Sequence, residues 1–329
     1  MTTAVPGSGD AGRIPSPEDA LITVVMTHFN YSEIVDHALA SVARQTHANF
    51  ECVIVDDCSS DMHRMRLRSK VAALDDPRFK LVELPENKGQ TNAIFEGIRH
   101  GSGEFVSLLD PDDLYAPEFL ERMLSCHLNP VTYAAVAGCN MGLYRVGGAI
   151  LTGGYTDFKQ RAMRDGTLPR LEASLFDYGF SVYHPPETVG WLWATTSSLM
   201  FRRDALEALR REEYMPDIKI CGDTYCVFGC HMLGGTLFRD EVLSWRGVHG
   251  GNAVEASWVV SSEQRKQQLD FADPSKKIKH FAMQTLLENR TASYLPDRSL
   301  GKVLRAHFAD EDVKALLGHN KEYFTLTLE

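Results

Sequence analysis

"EFVSLLDPDDLYAPEFL" (residues 104–120) sets an apolar run directly against Asp110, Asp112 and Asp113. The run 104–109 reads as a buried strand, being short, mostly apolar and closed by a Pro-containing turn. Carboxylates this close repel one another, and burial makes the repulsion worse. A hard divalent cation offsets it. Mg²⁺ or Mn²⁺ prefers oxygen ligands, keeps several waters and binds through one or two carboxylates plus substrate phosphates. Pro111 stiffens the turn, so the D-x-D aims Asp110 and Asp112 at one ion. The same residues also read as an Asp-rich turn in which Asp113 caps a helix starting near Pro117 and running through Leu124.

Upstream, the pattern of apolar strand followed by polar exit recurs. "LITVVM" (21–26), "FECVIV" (50–55) and "FKLVEL" (79–84) are strand-like runs. Between them, Ile34, Val35, Ala38, Leu39 and Val42 recur at helical spacing with Ser32 as N-cap, and Leu67, Val71 and Leu74 mark a helix ending before Pro77. A further helix is predicted over 90–99. Such alternation implies a mostly parallel sheet with helices on both faces, in which ligands bind beyond the carboxyl ends of the strands. The four exits are "THFN" (27–30), "DDCSSD" (56–61), "PENKG" (85–89) and "DPDD" (110–113). All are polar, and two are acidic clusters facing one crevice.

Downstream, "YAAVAG" (133–138) and "TLFRDEVLSW" (236–245) read as strands and "GDTYCVFGCHML" (222–233) as a helix. Residues 140–190 have weak periodicity. Beyond 251, helical patterns carry Lys and Arg clusters such as "SKKIKHF" (275–281).

Composition narrows the function. The chain has 329 residues, 44% hydrophobic and 24% charged, an ordinary globular balance. With 34 Lys plus Arg against 44 Asp plus Glu, the formal charge is -10. Such a chain repels phosphate polymers over its surface, which argues against a nucleic-acid partner. No apolar run approaches the roughly 20 residues of a membrane helix. Residues 1–19, rich in Gly, Pro and Ser, read as a disordered lead-in without the features of a secretion signal. The seven cysteines are scattered and lack zinc-site spacing, pointing to reduced thiols in a cytoplasmic protein.

Four stretches, "ITVVMTHFNYSEIVDHALASVARQT", "FECVIVDDCSSD", "ENKGQTNAIFEGI" and "GEFVSLLDPDDLYAPEFL", together resemble the family 2 glycosyltransferases of the GT-A fold. "CGDTYCVFGCHML" and "WRGVHGGN" resemble, over shorter spans, that family's catalytic-acid region and C-terminal histidine. The resemblance implies roles. Thr27, Phe29 and Asn30 match the nucleotide-lining exit of the first strand. Asp57 matches the acid that bonds the base, typically uracil, with Asp56 as an alternative. Asp110 matches the acid near the ribose and metal waters, Asp112 the direct metal ligand, Asp223 the general base, and His249 the histidine that closes on metal or diphosphate. Where many relatives carry Ala-Arg-Asn after the third strand, this chain has "AIFEG" (93–97). The arginine that would face the diphosphate is absent; either Lys88 substitutes or the phosphates rely on the metal alone, and Gly89 beside it is a further nucleotide-sugar-binding candidate.

The implied protein is an α/β, GT-A (Rossmann-like) glycosyltransferase domain over 20–250. Residues 20–115 form its nucleotide-binding half, 116–250 its acceptor half, and 251–329 a helical extension. It would use Mn²⁺ or Mg²⁺ to move a sugar, with inversion, from a nucleotide-sugar donor (UDP-sugar favoured) to a hydroxyl on a glycan, a lipid carrier or a small molecule, in bacterial glycan or polysaccharide biosynthesis. Tyr183, His184, Trp191 and Trp193 are candidates for a sugar-stacking acceptor platform, or else, for the two tryptophans, a strand beneath the pocket. The basic segment 275–281 is a candidate for peripheral contact with anionic lipid or for a homo-oligomer contact. The alternatives are a nucleotide- or glycan-binding protein without catalysis and a sugar-phosphate nucleotidyltransferase. The second needs a Gly-rich basic loop that "THFNYSE" lacks.

Overall fold

The computed structural model describes residues 16–146, 150–152, 176–177, 181–190, 192–211, 222–249, 272–289 and 297–318. The four apolar runs form β1 (Ile22–His28), β2 (Phe50–Asp56), β3 (Phe79–Glu83) and β4 (Phe105–Leu109), parallel in the order β3-β2-β1-β4. The connecting helices are α1 (Asp36–Ala43), α2 (Asp61–Ala73) and α3 (Gln90–His100). Parallel neighbours need such crossovers, because a hairpin cannot reverse the chain twice. Ser32 is not the cap of α1. Val35 holds that position, and the Ser32 hydroxyl lies 2.7 Å from His63 Nδ1, so it ties the β1 exit to α2 instead.

Beyond β4 come β5 (Leu114–Tyr115), α4 (Phe119–His127), β6 (Val136–Arg145), β7 (Ile150–Thr152), β8 (Phe176–Asp177) and β9 (Ser181–His184). A 3-10 turn over Thr196–Ser198 leads into β10 (Leu199–Arg202), then α5 (Arg203–Glu207), α6 (Gly222–Gly234) and β11 (Thr236–Val248). β10 inserts antiparallel between β4 and β6, while β11 runs parallel to β6. The start of β10 therefore lies at the edge where β1, β2, β3, β4 and β11 end.

Strand alternation splits the core in two. Ile22, Val24, Met26 and Ile54 face α1 and α4, where Leu39, Phe119 and Met123 meet them. Val25, Val106 and Leu108 face α3 and α6. The helices α7 (Ala272–Glu288), α8 (Asp297–His307) and α9 (Asp310–Gly318) extend this second core, with Met283, Leu286, Leu304 and Leu316 all buried. The apolar face of α7 is thus covered by its own chain. Lys279, from the basic segment, sits over the rings of Phe228 and Phe308 at 5.3 and 5.7 Å. No helix among the described residues is long and apolar enough to cross a membrane.

Two polar devices fix this frame. At the amino edge, the Glu51 carboxylate accepts from Thr23 on β1 (3.0 Å), Lys80 on β3 (2.7 Å) and Ser102 before β4. Burial alone would raise its pKa, but these donors win and hold it down to about 2. On the α6 side, Trp193 Nε1–H donates to Thr236 Oγ1 (3.1 Å), that hydroxyl faces His231 Nδ1 (2.9 Å), and His231 Nε2 reaches the Thr188 carbonyl (3.1 Å). His307 of α8 donates to the Pro186 carbonyl at 2.7 Å, clasping the helical extension to the same segment. Burial holds His231 down to about 3 and His307 to about 4, so both are neutral at pH 7.

Both devices predict acid sensitivity of the same sign. Glu51 has a depressed folded pKa, so its stabilisation is present above its ordinary 4.5 and lost as pH falls towards about 2. Glu51→Gln lowers stability at neutral pH by about 1–3 kcal/mol and flattens the urea-derived stability curve between those values. His307 is also depressed, from 6.5 to about 4, so its contribution fades as pH falls through that window. His307→Gln leaves a flatter curve there, and an unchanged slope would show that the clasp does not titrate as its burial requires.

Candidate active site

The carboxyl edge gathers six segments: the exits of β1 to β4, the 196–198 turn, and the end of β11. Asp57, buried just beyond β2, accepts the Lys88 N–H on Oδ1 (2.7 Å) and the Gly89 N–H on Oδ2 (2.8 Å). It thereby fixes the loop entering α3. Gln90, the first residue of that helix, donates to Asp110 Oδ1 at 3.1 Å. Phe29 is 45% exposed at the β1 exit, enough to meet a ligand, and Thr27 is half-buried behind it. Asn30 takes a left-handed conformation (φ 59°) and accepts the Ser60 N–H at 2.9 Å, joining the β1 and β2 exits.

The acids crowd as the sequence implied. Asp110 is raised by desolvation first, then by the charges of Asp112 and Asp223, and Thr196 and Arg246 pull it back. Asp113 is raised by burial and by Asp112 and Asp110. It is not a helix cap. Glu118 precedes α4, and Asp113 accepts the Gly247 N–H at 2.9 Å and the Ser197 hydroxyl, which brings the end of β11 onto the acidic turn. Gly247 must be glycine for that approach, since a Cβ there would lie 2.0 Å from the Asp112 carbonyl oxygen. The same docking delivers His249, whose Nε2 lies 3.0 Å from Asp112 Oδ2. Tyr31 packs edge-on to the His249 ring at 5.4 Å, and burial and the three acids raise its phenol.

Asp223 stands in the first turn of α6, where the helix dipole favours a carboxylate. Its Oδ1 accepts the Thr224 N–H (2.7 Å) and its Oδ2 the Thr196 hydroxyl (3.2 Å). Burial nonetheless raises its pKa. Gly222 lets α6 approach α3, because a Cβ would sit 2.8 Å from Thr91 Cα. Asp57 thus fixes Gly89, whose neighbour Gln90 holds Asp110; the Asp110 N–H donates to Ser197 Oγ at 2.9 Å, and the adjacent Thr196 holds Asp223.

Other expectations fall away. Asp56 is fully buried and held by His28 (2.7 Å), Ser59 and Arg64 (3.2 Å), so it supports the exit rather than lining it. The Lys88 ammonium lies 3.5 Å from Glu86, and it is the backbone N–H of Lys88 that serves the site. Trp193 is 1% exposed, in the core. Tyr183 and His184 pair with Leu237 and Thr236 at the start of β11, the end of the sheet remote from the acids. These three cannot form an acceptor platform at this crevice. Trp191 lies outside the described residues.

Three contributors escaped the sequence reading. Thr196 and Ser197 occur in "ATTSSLMF" (194–201), where a run of four hydroxyls before a strand was the available signal. Arg246, in "WRGVHGGN", is a cation whose charge bears on both Asp110 and Tyr31.

The donors present suit a hard divalent ion. Among the described residues no three His, Cys, Asp or Glu side chains close on one point. Mg²⁺ or Mn²⁺ needs only one or two carboxylates beside substrate phosphates. Asp112 with His249, backed by Asp110, meets that need, and the unrelieved repulsion raising Asp110 is what a cation would relieve.

Comparison with known proteins agrees with this geometry. An uncharacterized glycosyltransferase of Nostoc sp. is 26% identical over 264 residues, covering 79% of this chain and 75% of its own. The UDP-Glc:alpha-D-GlcNAc-diphosphoundecaprenol beta-1,3-glucosyltransferase WfgD of Escherichia coli is 33% identical over 111 residues, 34% of this chain and only 42% of that protein. Staphylococcus aureus TarS 1-349 in complex with UDP superimposes with a TM-score of 0.50 at 16% identity, over 90% of this chain and 82% of that one. Mannosyltransferase PcManGT from Pyrobaculum calidifontis, in complex with GDP-Man and Mn²⁺, gives 0.51 at 17% identity, over 93% and 76%. These structural matches establish the GT-A architecture. Since the profile of glycosyl transferase family 2 matches residues 23–194, more than half of the sequence, the chain belongs to that family of glycosyltransferases.

Proposed function

We propose that this chain is an inverting, metal-dependent glycosyltransferase that carries a sugar from a nucleotide-sugar donor, a UDP-sugar in the favoured case, to a hydroxyl acceptor in bacterial polysaccharide or glycan synthesis. The observation that carries the reading is the convergence of Asp110, Asp112 and Asp223 on the crevice that also receives the Asp57 loop. Relatives whose names specify polymer synthesis, such as the poly-beta-1,6-N-acetyl-D-glucosamine synthase of Staphylococcus epidermidis (27% identical, 60% of this chain), support the pathway class.

The residues divide the work. Asp57 spends one lone pair of each oxygen on the loop and keeps others for a base N–H. Phe29 offers an exposed ring beside it. Asp112 and His249, with Asp110 beside them, are the residues that would hold a divalent ion, and the ion would supply Lewis-acid stabilisation of the departing diphosphate. Arg246 adds a positive charge on the same side and takes the role that the apolar Ile94 and Phe95 of α3 leave vacant. Asp223 accepts the proton of the acceptor hydroxyl as its oxygen attacks the anomeric carbon. The bond from that carbon to the diphosphate oxygen breaks on the opposite face. Burial raises the pKa of Asp223 and so makes it a stronger base than an ordinary aspartate, while hydrogen bonds from Thr196 and Thr224 pull the other way and favour the ionised form.

Thermal denaturation with nucleotides tests this directly. UDP at about a hundred times its Kd, with Mn²⁺, raises Tm by on the order of 5 °C, and Asp112→Ala abolishes the metal-dependent part. A UDP shift indifferent to both Mn²⁺ and Asp112→Ala would overturn the metal assignment. Asp223→Asn keeps the shift and loses about 10²–10⁴ in turnover. Full turnover in that variant would remove Asp223 from the mechanism. Gly247→Ala, by forcing β11 off the acidic turn, costs about 1–3 kcal/mol and weakens the Mn²⁺-dependent UDP shift; retention of both would show that the close approach is dispensable.

A further inference from the structure

The 196–198 turn stands between the two halves of the site, and its hydroxyls are buried: Thr196 is 6% exposed and Ser197 0%. Ser197 Oγ accepts the Asp110 N–H at 2.9 Å and donates to the Asp113 carboxylate. Thr196 Oγ1 donates to Asp223 Oδ2 at 3.2 Å. Ser198 Oγ closes the turn on the Thr195 carbonyl at 2.7 Å, so the two preceding hydroxyls have little freedom to turn away. The antiparallel insertion of β10, with Met200 opposite Ser107, is what brings this turn alongside Asp110.

The base would be poorly set without it. Oδ1 of Asp223 accepts only from the next residue, through the Thr224 N–H at 2.7 Å and the Thr224 hydroxyl at 3.4 Å, both local bonds to one oxygen. The Thr196 hydroxyl grips the other oxygen and sets the plane. A hydroxyl has one proton, and the Thr196 proton is given to Asp223. Building on the assignment of Asp223 as base, we propose that Thr196 is a positioning residue that orients Asp223 for proton abstraction.

The experiment compares wild type, Thr196→Val, Thr196→Ser and Asp223→Asn. It follows UDP release from UDP-glucose and UDP-N-acetylglucosamine, and measures UDP affinity in Mn²⁺ by calorimetry. Valine matches threonine in shape and removes only the hydroxyl. Thr196→Val is expected to lower kcat by about tenfold or more, with KM and the UDP Kd within about twofold of wild type. Thr196→Ser restores kcat to within about threefold. Equal losses in kcat, KM and UDP affinity would mark Thr196 as structural support and overturn the proposal. So would a Thr196→Val enzyme with undiminished kcat while Asp223→Asn is inactive, an outcome that leaves the proposed base standing. Full turnover by Asp223→Asn would remove the base itself, and the positioning role with it.

Discussion

Negative charge gathered at one rim of the sheet is the constraint on which the rest of the site depends. Burial raises the pKa of Asp110, Asp113 and Asp223, and neighbouring carboxylates add to the rise at Asp110 and Asp113, each a cost to the folded state. The fold tolerates this because donors to these acids come from several elements. Gln90 comes from α3, Thr196 and Ser197 from the turn before β10, Gly247 from β11, and Thr224 from α6. No local stretch could supply that set. It takes the long-range pairing of β4 with β10 and of β6 with β11, and the two apolar cores that stabilise those pairings.

Two helices share the burden. α3 and α6 begin side by side, at the separation that Gly222 permits against Thr91. Both helix N-termini therefore bring their positive dipole ends to the crevice. This favours the ionised carboxylates already there, and it favours an anionic ligand once a cation has offset them. The packing of α3 leaves no place for a cation on this face. Ile94 contacts the α6 side of the core and Phe95 lies edge-on to Tyr225, so a cation on that face would be buried in apolar surroundings. The positive charge near the acids comes from β11 instead, as Arg246.

Legibility in the sequence followed the range of the interactions. β1 to β4 and their exits were readable because each is an unbroken apolar run with a polar stop, and a parallel sheet makes those stops converge. α6 and β11 were readable for the same reason. Ser32 and Asp113 were misread as helix caps because short polar residues before helices usually are caps. Here His63 and Gly247, distant in sequence, claim them. Trp193 looked like a ligand platform because an aromatic in a weakly periodic segment has no local signal of burial. Its indole N–H is satisfied by Thr236, a residue 43 positions away. Thr196 and Ser197 were invisible as site residues, since hydroxyl runs are common and only the antiparallel β10 gives these a target.

The shared core under α6 has a consequence for how the protein is made. The helix that carries Asp223 is synthesised before its outer covering, because Ile278, Met283, Leu286, Leu304 and Leu316 all follow it in the chain. While translation proceeds through those residues, Tyr225, Val227 and Cys230 have no apolar neighbours on that side. A nascent chain in that interval has β1 to β4 and their acidic exits already made, while the helix bearing Asp223 still lacks its outer layer.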